Sequence, residues 1–171
     1  MTRKKLKWLL VVMAVIAGVL GTYLPRHLFI ALTPSVNYRL FWMSLDTQHL
    51  STGDYVVFHL NRDRLQGLPL PTELAEDEDG IVLAVKRIGC NEGEILTRNR
   101  KKGREFYCGE QFLGRAKEKT RHGKPLHPAQ VEGVIPPGMV FLVGDNKDSF
   151  DSRYFGLLDK ESFVSKANGI F

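Results

Sequence analysis

From its amino end the chain shows one long apolar run and then a series of short ones. Trp8 to Leu24, WLLVVMAVIAGVLGTYL, carries no charge, and with Leu6 it reaches the roughly 17–20 residues needed to span bilayer hydrocarbon. The pattern predicts a transmembrane helix over 8–24 behind a basic tail, 1–7. A cleaved signal peptide has the same basic start. Its apolar region is usually shorter, however, and ends in a small-x-small site, which Val19-Leu20-Gly21 matches only loosely. Arg3, Lys4, Lys5 and Lys7 precede the run and no further basic residue follows until Arg26, which puts the N-terminus in the cytoplasm. Residues 25–171 then lie beyond an inner, cytoplasmic membrane, in the periplasm of a Gram-negative cell.

Past the span the periodicity shortens. Leu28 to Leu32 is a second apolar patch, set against the membrane surface or opening the core. Asp54 to Leu60 follows a Ser-Thr-Gly turn and Ile81 to Ile88 follows Asp79-Gly80, so both read as strands. Shorter strands are predicted at 94–97, 105–107, 131–135 and 139–143, punctuated by Gly93, Gly103, Gly109 and Pro136-Pro137-Gly138. The fold class is mainly β behind one N-terminal helix. Gln66 to Asp79, with Pro69, Pro71 and the acidic run 76–79, reads as a solvated loop. The basic stretches 98–104 and 115–124 read as solvated hairpin tips.

Composition changes this picture little. The 171 residues carry 24 Lys and Arg against 19 Asp and Glu, a formal +5. Four of those positive charges sit in the first 24 residues, leaving 20 basic against 19 acidic for the rest. A nucleic-acid partner is therefore not expected. Cys90 and Cys108 are the only cysteines, and an oxidising compartment permits a bridge worth on the order of 3 kcal/mol. Two separate buried thiols, or half of a metal site, are the other readings. The metal reading lacks a His or further Cys at ligand spacing, and no metal or organic cofactor is expected.

Three segments can carry chemistry. In a strand Lys86 shares its face with Val82, Ala84 and Ile88, and burial beside apolar groups lowers an amine's pKa towards that of a general base. A lysine at a strand end that snorkels to water is the ordinary alternative. Ser35, in Thr33-Pro34-Ser35 just past the span, is the best placed nucleophile, needing a neighbouring base to accept its proton. Five histidines leave a Ser–His–Asp triad open by composition, although no G-x-S-x-G occurs. Finally, Gly144 to Gly156 leaves an apolar strand as a polar loop. Within it Asp151 and Arg153 can pair, and Ser149 can bond a neighbouring amine.

Together, in this order and behind an anchor, these segments resemble the type I signal (leader) peptidase superfamily of Ser/Lys proteases. Gly144-Asp145-Asn146 through Asp151-Ser152-Arg153 and Gly156 is similar to its C-terminal box, and Val85-Lys86-Arg87-Ile88 to its lysine box. Gly53-Asp54-Tyr55-Val56-Val57 is similar to its strand between the serine and the lysine. The small size, Thr33-Pro34-Ser35 and Asp148 to Gly156 are most similar to the TraF-type peptidases of conjugative transfer, which mature a pilin precursor. The resemblance implies a signal-peptidase-like β-sheet catalytic domain, with Ser35 as nucleophile and Lys86 as general base. It also implies Ser149 as the group orienting the lysine, Asp151 and Arg153 as structural support, and an oxyanion hole from the Thr33 hydroxyl and the Ser35 N–H. Asn37 and Arg39 depart from the family's pattern on the wall where substrate lies.

The expected activity is that of a membrane-anchored serine endopeptidase acting on a membrane-bound pilin precursor, by cleavage and possible cyclisation. A general leader peptidase acting on secretory preproteins is the alternative within the class. An inactive anchored interaction module is the alternative outside it, and a self-cleaving repressor-type protease would require a DNA-binding domain where this chain has a membrane span.

Overall fold

The computed structural model describes residues 3–61, 65, 81–99, 104–120 and 122–171. The expected 66–79 loop, and residues 100–103 and 121 of the basic stretches, lie outside them.

The apolar run forms helix α1, Arg3–His27, which takes in the basic residues before the run, Lys and Arg being good helix formers, and continues through Pro25 to His27. None of its residues is buried against the rest of the protein, and it is long and apolar enough to cross a membrane. It passes directly into β1 (Leu28–Ile30), which pairs antiparallel with β2 (Leu40–Ser44). Residues 28–30 of the apolar patch are thus a sheet strand. Only Ala31 of that patch is fully buried, while Ile30 and Leu32 stay exposed.

Among the described residues the main sheet has seven strands, in the order β1-β2-β11-β3-β4-β9-β10. Its centre is the long antiparallel pair of β3 (Tyr55–Asn61) and β4 (Ile81–Cys90), in register from Tyr55↔Arg87 to Asn61↔Ile81. β9 (Met139–Val143) lies against the far end of β4, and β10 (Leu158–Asp159) closes that edge. β11 (Phe163–Gly169) returns to insert between β2 and β3.

A second sheet, in the order β7-β6-β5-β8, is built from β5 (Ile95–Asn99), β6 (Glu105–Cys108), β7 (Gln111–Arg115) and β8 (Gly133–Val134). Its inner face (Leu96, Phe106, Leu113) packs with Phe141 and Val143 of β9 into one core, where Phe106 stacks on Phe141 at 5.2 Å. The Cys90–Cys108 disulfide joins β4 to β6, and hence the two sheets. With both sulfurs bonded to each other, neither is available as a metal ligand.

The described part of 115–124 is the solvated turn its charge suggested, with Glu118, Lys119 and Lys124 exposed and the Thr120 N–H donating to the Lys124 carbonyl at 2.8 Å, whereas the two described arginines of 98–104 are drawn into hydrogen bonds. Arg98 donates from β5 to the Ala129 carbonyl, and Arg104 donates to the carbonyls of Lys117 and Leu126 at 2.6 and 2.9 Å. The guanidinium groups satisfy loop carbonyls that have no strand partner. The 131–135 segment contributes only Gly133–Val134 as a strand.

Candidate active site

The face expected for Lys86 is the one it takes. Its cross-strand partner is Val56, with Phe58↔Ala84 and Leu60↔Val82 continuing the same row, and Val56, Phe58, Leu60, Val82 and Ile88 belong to one apolar cluster. Lys86 is only 6% exposed. Burial pushes its amine down to about 8; the Asp151 carboxylate raises it, the Arg153 guanidinium lowers it and Asp145 raises it. Its Nζ lies 2.7 Å from Ser35 Oγ, which it reaches as a hydrogen-bond donor. A neutral amine in the same place would accept the serine proton.

Ser35 itself is buried and sits in a tight turn after Pro34, where its N–H donates to the Thr33 carbonyl at 2.8 Å. The Thr33 hydroxyl donates to Ser35 Oγ at 3.4 Å. The two groups assigned to the oxyanion hole are therefore beside the nucleophile. The Ser35 N–H, however, is spent inside the turn, and serving an oxyanion requires that bond to open.

The turn is held from the β9 side. Asn146 donates its N–H to the Ser35 carbonyl at 3.2 Å and its Nδ2 to the Pro34 carbonyl at 2.8 Å. Asp145 accepts from the Asn37 N–H at 3.0 Å, the Tyr55 hydroxyl at 2.6 Å and Arg87 Nε at 3.0 Å. Tyr55 is shifted strongly upward by burial and then by that carboxylate. Gly144 has no room for a side chain, since a Cβ would meet Ser149 Oγ at 2.1 Å and the Ser35 carbonyl at 2.5 Å. The sequence alone assigns Asp145 and Asn146 no individual role. The available signal was their position, immediately after a fully apolar strand, where a loop has backbone groups to satisfy.

Below that loop Asp151 and Arg153 form a pair with almost no solvent contact, at 0 and 1% exposed. The guanidinium is bidentate, with Nε to Oδ1 at 2.8 Å and Nη2 to Oδ2 at 2.7 Å. Asp151 also accepts from the N–H groups of Gly144 and Arg153, the latter as the N-cap of the short helix α2, Ser152–Phe155. Arg153 donates onward to the carbonyls of Ser149 and Arg115. Its pKa stays raised because the hydrogen bond and charge of Asp151 outweigh desolvation, the largest single influence. The pair thus ties the loop, α2 and β7 together. The Ser149 hydroxyl is buried and makes no hydrogen bond among the described residues, to Lys86 or to any other group.

Ser35 and Lys86 help line an apolar pocket of about 240 Å³, walled by Phe29, Leu32, Phe58, Val82, Ala84 and Phe150. β9 pairs with β4 only at Arg87, Ile88 and Cys90. Among the described residues, the stretch of β4 from Leu83 to Lys86 therefore has a strand on one side only. Among the described residues the site thus brings together a serine hydroxyl, a buried amine, an apolar recess and an open strand edge.

Three comparisons bear on this arrangement. A family profile described as signal peptidase, peptidase S26, matches residues 3–171. The signal peptidase I of Bacillus caldolyticus is 30% identical over 137 residues, which is 74% of this chain; the match spans 64% of that protein's length. A crystal structure of a signal peptidase I from Enterococcus faecalis aligns with a TM-score of 0.40 at 20% identity, covering 71% of this chain and 98% of that one. With the family match running nearly end to end, the chain belongs to the signal peptidase family, peptidase S26.

Proposed function

We propose that this chain is a membrane-anchored serine endopeptidase that cleaves exported precursors with a Ser35/Lys86 dyad. The observation that carries the reading is the 2.7 Å contact between Ser35 Oγ and the buried amine of Lys86 in the lining of an apolar pocket. Residues 8–24 would span the inner membrane, with 1–7 in the cytoplasm and 25–171 as the periplasmic peptidase domain.

A precursor would lie as an extended strand along the open edge of β4, its backbone pairing near Leu83 and one apolar side chain entering the pocket. Neutral Lys86 takes the hydroxyl proton as Ser35 Oγ attacks the scissile carbonyl. The tetrahedral oxygen is met by the Thr33 hydroxyl and, once its turn bond opens, by the Ser35 N–H. Collapse transfers the proton from Lys86 to the leaving amine and leaves an acyl-enzyme on Ser35. Water, or an amine of the substrate itself, then resolves that ester. The resemblance would have Ser149 orient the lysine amine, a hydrogen bond its hydroxyl does not make among the described residues, while Asp151 with Arg153 keeps the loop in place.

Two substrate classes fit this site. A conjugative pilin precursor, with possible cyclisation, rests on the resemblance to TraF-type peptidases, and secretory preproteins at large rest on the general leader-peptidase pattern. Intact mass of each precursor from cells expressing wild type or Ser35→Ala separates them. Ser35-dependent shortening of the pilin alone supports the first, with loss of one further water marking cyclisation. Shortening of ordinary secretory precursors supports the second. Processing that is indifferent to Ser35→Ala refutes the peptidase reading and leaves an interaction module.

A further inference from the structure

The passage from helix to catalytic sheet contains no linker. His27 ends α1 and Leu28 begins β1, and Ser35 follows only eight residues after His27. A bare peptide bond would still leave the helix free to swing about one or two dihedrals. Three rings remove that freedom. His27 stacks on Trp42 with centroids 5.3 Å apart and planes 11° apart, and Tyr23, one helical turn earlier, lies 4.2 Å from His27 and 6.2 Å from Trp42. Trp42 is itself fixed from both sides, since β2 pairs it with Leu28 of β1 and with Asn168 of β11. Aromatic stacking adds orientation to area burial, so two positions of α1 are registered against a strand that is hydrogen-bonded on both edges.

We propose that the Tyr23–His27–Trp42 stack fixes the height of Ser35 above the membrane surface. Precursors would then be selected by the number of residues between their apolar segment and the scissile bond, as well as by the side chains entering the pocket. The inference rests on reading α1 as the membrane anchor and Ser35 as the nucleophile. β1 spans about 10 Å at the usual strand rise of about 3.3 Å per residue. Moving a scissile bond by two residues displaces it by about 7 Å, far more than the roughly 1 Å misplacement that already slows reactions strongly. Tyr23, His27 and Trp42 touch neither Ser35 nor Lys86, so they act as positioning residues.

The test uses the full-length protein in phosphatidylcholine vesicles containing a third phosphatidylglycerol. Synthetic precursors carry a 20-residue Leu/Ala segment and an Ala-x-Ala site shifted outward one residue at a time, and a water-soluble peptide of the same site serves as control. Wild type is expected to show a rate maximum at one spacing, falling about tenfold two residues to either side. Trp42→Ala, and separately a Gly-Ser-Gly insertion between His27 and Leu28, should flatten that profile while leaving kcat/KM on the soluble peptide within about twofold. Trp42→Phe should restore the maximum. A flat wild-type profile, or an unchanged maximum in both altered proteins, overturns the proposal while soluble-peptide cleavage keeps the peptidase reading intact. Failure of wild type to cleave either substrate refutes both. Release of wild type from vesicles by alkaline carbonate refutes the anchor and the spacing proposal with it.

Discussion

Lys86→Met tests the physical basis of the site directly, because methionine has nearly the same volume and no charge. Lowering a lysine from its ordinary 10.5 to about 8 by burial places about 3 kcal/mol against the folded ammonium, at about 1.4 kcal/mol per pH unit. Below pH 8 the amine is protonated in both folded and unfolded chains, and the folded state bears the whole penalty. Between pH 8 and 10.5 the unfolded chain holds the extra proton, so wild-type stability rises with pH, and above 10.5 the penalty is gone. Methionine removes the penalty and forfeits the hydrogen bond to Ser35, a net loss of about 1 kcal/mol. Lys86→Met is therefore expected to be more stable than wild type by about 2 kcal/mol at pH 6.5 and less stable by about 1 kcal/mol above pH 10.5. Urea unfolding of the detergent-solubilised full chain at a series of pH values measures this difference. It cancels the other groups that titrate over the range. Under the proposed mechanism the same lysine sets the rate: wild-type kcat/KM should rise about tenfold per pH unit up to about pH 8 and then level, and Lys86→Met should be inactive throughout. A stability difference independent of pH, or a rate limb that levels only near pH 10, would show that Lys86 is not the depressed amine its burial implies.

Other outcomes follow from the supporting structure. Asp151→Ala strands the Arg153 guanidinium at 1% exposure and should lower unfolding free energy by about 3–5 kcal/mol, read from the urea midpoint. Gly144→Ala drives a methyl towards Ser149 Oγ and the Ser35 carbonyl. It should reduce kcat on a soluble peptide by about 10²-fold, with a smaller stability loss of about 1–3 kcal/mol. Replacing Cys90 and Cys108 together by alanine unties β4 from β6 and should remove about 2–4 kcal/mol of stability, measured against wild type under non-reducing conditions.

Much of this protein was legible in the chain because its signals are local. The charge-free run from Trp8 to Leu24 is long enough to demand a helix whatever surrounds it, and the central strands at 55–61, 81–90 and 139–143 carry their apolar residues in runs or alternation. Lys86 stood out because strand periodicity alone puts it among Val82, Ala84 and Ile88. Asp151 and Arg153 are two residues apart, so their pairing needed only a turn. The sequence pattern marks no strand at β1, β2, β7, β10 or β11. β11 is the clearest case: its sequence, FVSKANG, buries Ser165 and Ala167 rather than large apolar groups, and it gains its place by pairing on both edges with strands more than a hundred residues earlier. No local pattern encodes such a partner.

The site divides in the same way. Residue type and strand face nominate Ser35 and Lys86 singly, but their 2.7 Å approach joins positions 51 residues apart. It depends on Asn146 and Asp145 gripping the Pro34–Asn37 turn across more than a hundred residues of chain. The silence of the Ser149 hydroxyl, the Ser35 N–H folded into its own turn, and the rings that register α1 on β2 are likewise products of packing. Sequence determines what each segment prefers and which groups can react. Only the folded chain decides which of those groups lose their water together, and that shared desolvation is what can turn a lysine into a base for Ser35.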